Sequence, residues 1–203
     1  TLRKMLKKAW KMVDCAWDTC EKDDEKTLAK AQKLERREPR VDELQQEITD
    51  YLSMLMQKEL SQEQAAAIPV LIHCTNDAER IGDHTETILE LIRHLKTDVA
   101  KLSDTARSEL AGIHEILHRQ VECTLLLLEK NSPADRALAK DLEQQVKLLA
   151  AKYEDNHLRR LAEGECNPVS GIFFIEMLAE FQKVSRHVAN IAERSETLEK
   201  LVA

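Results

Sequence analysis

Apolar residues recur at three- and four-residue spacing along almost the whole of this chain, the period of an amphipathic helix. Little interrupts them. The 203 residues include four Gly and four Pro, too few for the many tight turns of a β protein. Leu, Ala, Glu, Lys and Gln, all strong helix formers, are abundant. Aromatic residues are 3% of the chain, so the core must be aliphatic. The fold class that follows is all-α.

The helices can be placed by their punctuation. Leu6, Trp10, Val13 and Trp17 form one stripe of a first helix running from about Leu2 to about Lys22. A second begins near Asp24 and meets Pro39, which either kinks it or opens a fresh helix at the favoured first-turn position. It continues through Val41, Leu44, Ile48, Tyr51, Leu52 and Leu55. Ser61 and Gln64 make a capping box for a third, which passes Pro69 and ends near Lys101. Ser103-Asp104 caps a fourth that ends near Lys130, and Ser132-Pro133 opens a fifth. Gly164 stops the fifth, and Asn167-Pro168 starts the sixth.

The pattern repeats. His84-Thr-Glu-Thr-Ile88-Leu-Glu90 aligns with His187-Val-Ala-Asn-Ile191-Ala-Glu193, and Val41, Leu44 and Ile48 align with Val146, Leu149 and Tyr153. The expected architecture is two tandem three-helix bundles, residues 1–102 and 103–203, packed rigidly because no flexible linker separates them.

Composition excludes several classes of function. With 43% apolar and 33% charged residues the chain is globular, and a net charge of −7 argues against a nucleic-acid partner. The local exception is Arg3, Lys4, Lys7, Lys8 and Lys11, which is either a solvated face or a segment lying near anionic lipid headgroups. No apolar run approaches the ~20 residues of a membrane span, and no signal peptide is evident. Five scattered Cys (Cys15, Cys20, Cys74, Cys123, Cys166), none in CxxC spacing, read as reduced thiols of a cytosolic protein.

One run carries a family resemblance. Asp77-Ala-Glu79-Arg80-Ile81-Gly82-Asp83-His84 resembles the third-helix signature of PhoU proteins, an ERxGD-His run that closes each three-helix repeat. His187-Val-Ala-Asn190-Ile191-Ala192-Glu193 resembles the end of that family's second repeat. The resemblance implies a regulator of phosphate uptake acting through a membrane transporter domain, in cis or in trans, and leaves room for a homodimer. Similar sequences occur as free cytosolic proteins and as the soluble C-terminal part of bacterial sodium/phosphate cotransporters. The start at Thr1, the basic first turns and a degenerate second repeat favour the cotransporter form, cytoplasmic at the inner face of the plasma membrane.

Glu79 and Asp83, four residues apart, project from one helical face, where like charges cost a few tenths of a kcal/mol unless a cation offsets them. In PhoU proteins such an E/DxxxD pair is the implicated metal-binding element. Its hard oxygen ligands suit Mg, Mn or Fe. Asp14 and Asp18 on the first helix and Glu43 and Glu47 on the second repeat the spacing, and the three pairs are candidates to converge on one metal cluster. Acidic pairs also occur on ordinary solvated faces in a chain with 37 acidic residues. In the second half Glu79 becomes Gln182 and Asp83 becomes Arg186, so a second metal site is not expected there.

Gly82 sits in mid-helix, which suggests a neighbouring helix close by, with Ser185 as the small counterpart. His84 and His187 read as packed or capping histidines, and Trp10 and Trp17 as core. A different chemistry is spelled by His114-Glu115-Ile116-Leu117-His118, which matches the HExxH pattern of zinc peptidases. No third ligand motif follows, and no strand is available to hold a peptide. The leading expectation is therefore a non-enzymatic PhoU-like regulator, and the alternatives are a purely structural helical interaction module or an HExxH zinc peptidase.

Overall fold

The structure is a computed structural model that describes residues 1–21, 38–95, 101–130 and 132–202. Among these residues it contains six helices: α1 (Leu2–Glu21), α2 (Glu38–Leu55), α3 (Gln62–Leu95), α4 (Asp104–Leu127), α5 (Pro133–Ala162) and α6 (Pro168–Val202). The helix start expected near Asp24 lies outside the described residues, as do residues 96–100 before the third-helix end expected near Lys101, which is itself not helical. Pro39 stands in the first turn of α2, and Pro69 is accommodated inside α3 without ending it.

The helix ends follow from local chemistry. Gln64 N–H donates to Ser61 Oγ (3.2 Å) and Ser61 N–H donates to Gln64 Oε1 (3.0 Å), the reciprocal pair of a capping box. Ser103 Oγ accepts from Ala106 N–H and Ser132 Oγ from Asp135 N–H, so α4 and α5 are both capped. At the far end of α5, Gly164 has φ +73°, a left-handed backbone that a side chain would strain. There Glu165 N–H reaches back to Arg160 O and Gly164 N–H to Leu161 O, the two bonds of a Schellman stop.

One apolar core runs through both halves. It includes Val13 and Trp17 of α1, Val41 of α2, Ile81 of α3, Ile113 of α4, Val146 of α5 and Phe181 of α6. Removing each such side chain from water is worth roughly 1.5–3 kcal/mol. α3 and α6 share the most extensive helix–helix surface, and α1 packs on α3 and reaches across to α4. Trp17 meets Phe181 edge-on, with centroids 5.7 Å apart.

Polar pairs cross the α3–α6 seam in a reciprocal pattern. His187 Nδ1 lies 2.7 Å from Asp77 Oδ1, and His84 Nδ1 lies 2.7 Å from Glu180 Oε2. Both His84/His187 and Asp77/Glu180 are 103 residues apart, so each histidine takes the carboxylate of the opposite repeat. That is the signature of a two-fold arrangement of like elements, and the two imidazoles stack at 5.4 Å where the halves meet. No helix among the described residues is long and apolar enough to cross a membrane.

Candidate metal centre

On α2, Asp42, Gln45 and Thr49 share a face, and on α3 so do Asn76, Glu79 and Asp83. These faces meet. Gln45 Nε2 donates to Asn76 Oδ1 at 2.9 Å, and one turn away the carboxylates of Asp42, Glu79 and Asp83 come within 4.8 Å of one another. Val41, buried beside them, rests against Gly82 and fixes how α2 is rotated.

The acidic cluster is electrostatically strained. Burial, then the charges of Asp83 and Asp42, push the Glu79 carboxyl from an ordinary 4.5 up to about 7. Burial and the charge of Asp42 also raise Asp83. Glu79 and Asp83 stand close enough for one proton to be shared between their carboxyl groups. Asp42 Oδ1 is shielded from solvent with no hydrogen-bond partner. An orphaned carboxylate oxygen beside two crowded carboxyl groups fits a hard divalent cation, which would offset their charge and satisfy the orphan.

The expected residues are distributed differently from a single convergence. Glu79 and Asp83 are in the cluster, but the α2 member is Asp42, while Glu43 and Glu47 sit exposed on another side of the helix. Buried Val41 sets that rotation, and i, i+4 spacing alone does not reveal it. Asp42 was legible only through its place beside Val41 and on a stripe with Gln45.

Asp14 turns away from this cluster toward α4. Its Oδ1 is 3.4 Å from His114 Nε2 and 4.0 Å from His118 Nδ1, and the charge of Asp18 also acts on His114. The HExxH histidines are thereby accounted for. His114 is stacked between Trp10 and Trp17, and burial, then the neighbouring His118, pulls its pKa down to about 4. Trp10 Nε1–H donates to His118 Nδ1 (3.3 Å), and His118 Nε2 faces Glu122 (3.3 Å). The two Nε2 atoms point to different carboxylates, so this is not the convergent geometry of a zinc peptidase.

Gly82 has more room than its position suggested. A Cβ there would lie 3.6 Å from Val41 Cγ1, an ordinary contact, while its counterpart Ser185 donates its hydroxyl to Gln120 Oε1 at 2.7 Å. Gly82→Ala should therefore stabilise the fold by about 0.5–1 kcal/mol through the helix-propensity term. Urea denaturation at fixed pH would check it, and a lower midpoint would mean that α2 and α3 approach more closely than the geometry allows.

Comparison with known proteins bears on the same region. A family model, the PhoU domain, matches residues 2–92, which contain all three cluster carboxylates. A search of curated proteins returned no match to the sequence. Among solved structures, the phosphate transport system regulatory protein PhoU from Streptococcus pneumoniae superposes with a TM-score of 0.84 at 14% identity, covering 98% of this chain and 91% of that one. This chain is PhoU-like: residues 2–92 match the PhoU domain, and its fold resembles that of the Streptococcus pneumoniae PhoU protein over essentially its whole length.

Proposed function

We propose that this chain regulates phosphate homeostasis by modulating phosphate uptake, with Asp42, Glu79 and Asp83 as the residues that hold a Mg, Mn or Fe ion. The observation that carries this reading is the acidic cluster itself, lying inside the stretch that matches the PhoU domain. The similar Streptococcus pneumoniae protein is a regulator of a phosphate transport system, which supports extending the phosphate context to this chain. A bound cation would offset most of the charge of the three carboxylates and draw α2 toward α3. Because the core is continuous, a change there can bias how the two halves pack, provided that metal binds one packing better than the other.

The transporter-attached form is the preferred version. Lys4, Lys7, Lys8 and Lys11 share an exposed face of α1 in a chain of net charge −7. Each lysine near an anionic leaflet contributes roughly 1 kcal/mol of attraction, so α1 is suited to lie at the cytoplasmic face of a membrane beside a transporter domain. A free-standing cytosolic regulator remains the alternative form.

Radiolabelled phosphate uptake tests the reading in source cells that carry the wild-type gene, a deletion, or Glu79→Gln with Asp83→Asn. Deletion should alter uptake in phosphate-replete medium, and the double variant should follow the deletion while its protein level is unchanged. Uptake indifferent to the deletion would leave only a structural helical module.

A further inference from the structure

The two-fold relation between the halves assigns the α2–α3 metal centre a counterpart between α5 and α6. Val41 and Gly82, which set the packing beside the acidic cluster, correspond to Val146 and Ser185, and these line one cleft on the second half. The alignment places Lys147 opposite Asp42, Gln182 opposite Glu79 and Arg186 opposite Asp83. All three also line that cleft, which encloses about 280 Å³. Where the first half gathers three carboxylates, the second gathers an ammonium, an amide and a guanidinium. The sign of the site has inverted while its place in the fold has been kept.

Several observations show that these cations are not simply half of a salt bridge. Unlike the exposed Lys147 and Arg186, the half-buried arginines of this half have partners: Arg160 pairs with Glu109 and Arg194 with Asp77. Lys183, on the same wall, is held by Glu180 at 2.7 Å. Lys147 and Arg186 have no ion-pair partner among the described residues, although the chain carries seven more acidic than basic groups. The wall includes one other carboxylate, Glu143, a turn before Lys147. A wider cleft of about 580 Å³ adjoins the first through Arg186 and Glu143 and adds Lys140, Glu193 and the Arg136–Glu196 ion pair.

We propose that the Lys147–Gln182–Arg186 cleft binds a phosphate-class oxyanion, so that the molecule pairs a cation site in one bundle with an anion site in the equivalent place of the other. A guanidinium presents two parallel N–H donors that match two oxygens of a tetrahedral oxyanion, and an ammonium adds a compact charge. Gln182 contributes an uncharged amide donor. The same chemistry would take inorganic phosphate or the phosphate of an anionic lipid headgroup.

Equilibrium dialysis of the full chain with radiolabelled inorganic phosphate, in chelator and low salt, is the test. The chelator ensures that no metal in the first bundle can hold the anion. Wild type should bind one phosphate saturably, Lys147→Gln and Arg186→Gln should each weaken binding at least tenfold, and Glu79→Gln should not. Both substituted side chains are exposed, and matching thermal melts would establish that the variants fold. If free phosphate does not bind, sedimentation with phosphatidylglycerol vesicles decides. Retention of wild type reduced at least tenfold in Lys147→Gln/Arg186→Gln assigns the site to a lipid phosphate. Binding of both probes unchanged in the double variant, or no binding of either, overturns the proposal. The result is separable from the regulatory reading, because uptake can respond to the gene whether or not this cleft holds an anion.

Discussion

Asp77→Ala should lower the stability of this protein by about 3–5 kcal/mol, the usual cost of breaking a buried ion pair by removing one partner. Asp77 is 8% exposed and sits on the seam between the halves. It accepts from His187 (2.7 Å) and Asn190 (3.1 Å) and pairs with Arg194. Burial alone would push its carboxyl up. The hydrogen bonds from His187 and Asn190 and the charge of Arg194 outweigh burial and hold it below the ordinary range. Without it, a half-buried imidazole, an amide and a guanidinium face one another with nothing negative between them. Arg194 is partly exposed and can turn to water, which places the loss toward the lower end of the range.

The pH dependence follows from the direction of that shift. A carboxyl whose folded pKa is depressed contributes stability that is present above its unfolded value, near pH ~4, and lost as pH falls through the folded value. Glu180, held down against its burial by His84 and Lys183, behaves the same way across the seam. Wild type should therefore lose more stability on acidification below pH ~4 than Asp77→Asn, in which one of the two carboxylates is gone. Guanidinium denaturation at several pH values measures both effects. An Asp77→Ala midpoint within experimental error of wild type would show that the seam is held by apolar packing alone.

The acidic cluster of Asp42, Glu79 and Asp83 has the opposite sign. Glu79 is raised from an ordinary 4.5 to about 7, so its contribution to stability is fully present below pH 4.5 and is lost as pH rises toward and past 7. With chelator present, melting temperature should fall between pH 5 and pH 8. Manganese should reverse this at pH 8, because a metal ligated only by the folded state stabilises by about 2.7 kcal/mol at a hundred times its Kd. For a domain of this size that corresponds to about 5–10 °C. Glu79→Gln should flatten the pH trend in chelator, since no charge develops, and should lose most of the manganese response. Calorimetry across that pH range, with and without manganese, checks all three results. A manganese response equal in wild type and Glu79→Gln would remove Glu79 from the ligand set.

Much of this molecule was legible before any coordinates. The capping box at Ser61 and Gln64, the stop at Gly164 and the start at Asn167-Pro168 are local chemistry. They depend on bonds within a few residues, and the structure places them at the expected positions. The repeat was legible too, because core positions on equivalent helices need residues of similar size and polarity whatever lies outside them. The run from Asp77 to His84 carried the family resemblance for the same reason, being concentrated in one helix.

What the sequence could not supply was which helical face looks at which neighbour. Glu79–Asp83, Asp14–Asp18 and Glu43–Glu47 are equivalent by spacing, yet one pair joins a cluster, one turns to the histidines of α4, and one faces outward. The difference is a rotation of each helix about its axis, set by buried anchors such as Val41 and Trp17 whose partners are far away in the chain. His84 and His187 show the same division. Their equivalence was visible in the sequence, but that each would take the other repeat's carboxylate was decided by the docking of α3 on α6. Backbone hydrogen bonding makes a helix from its own residues, whereas a site between helices exists only once burial of their apolar faces has chosen the rotation at which they meet.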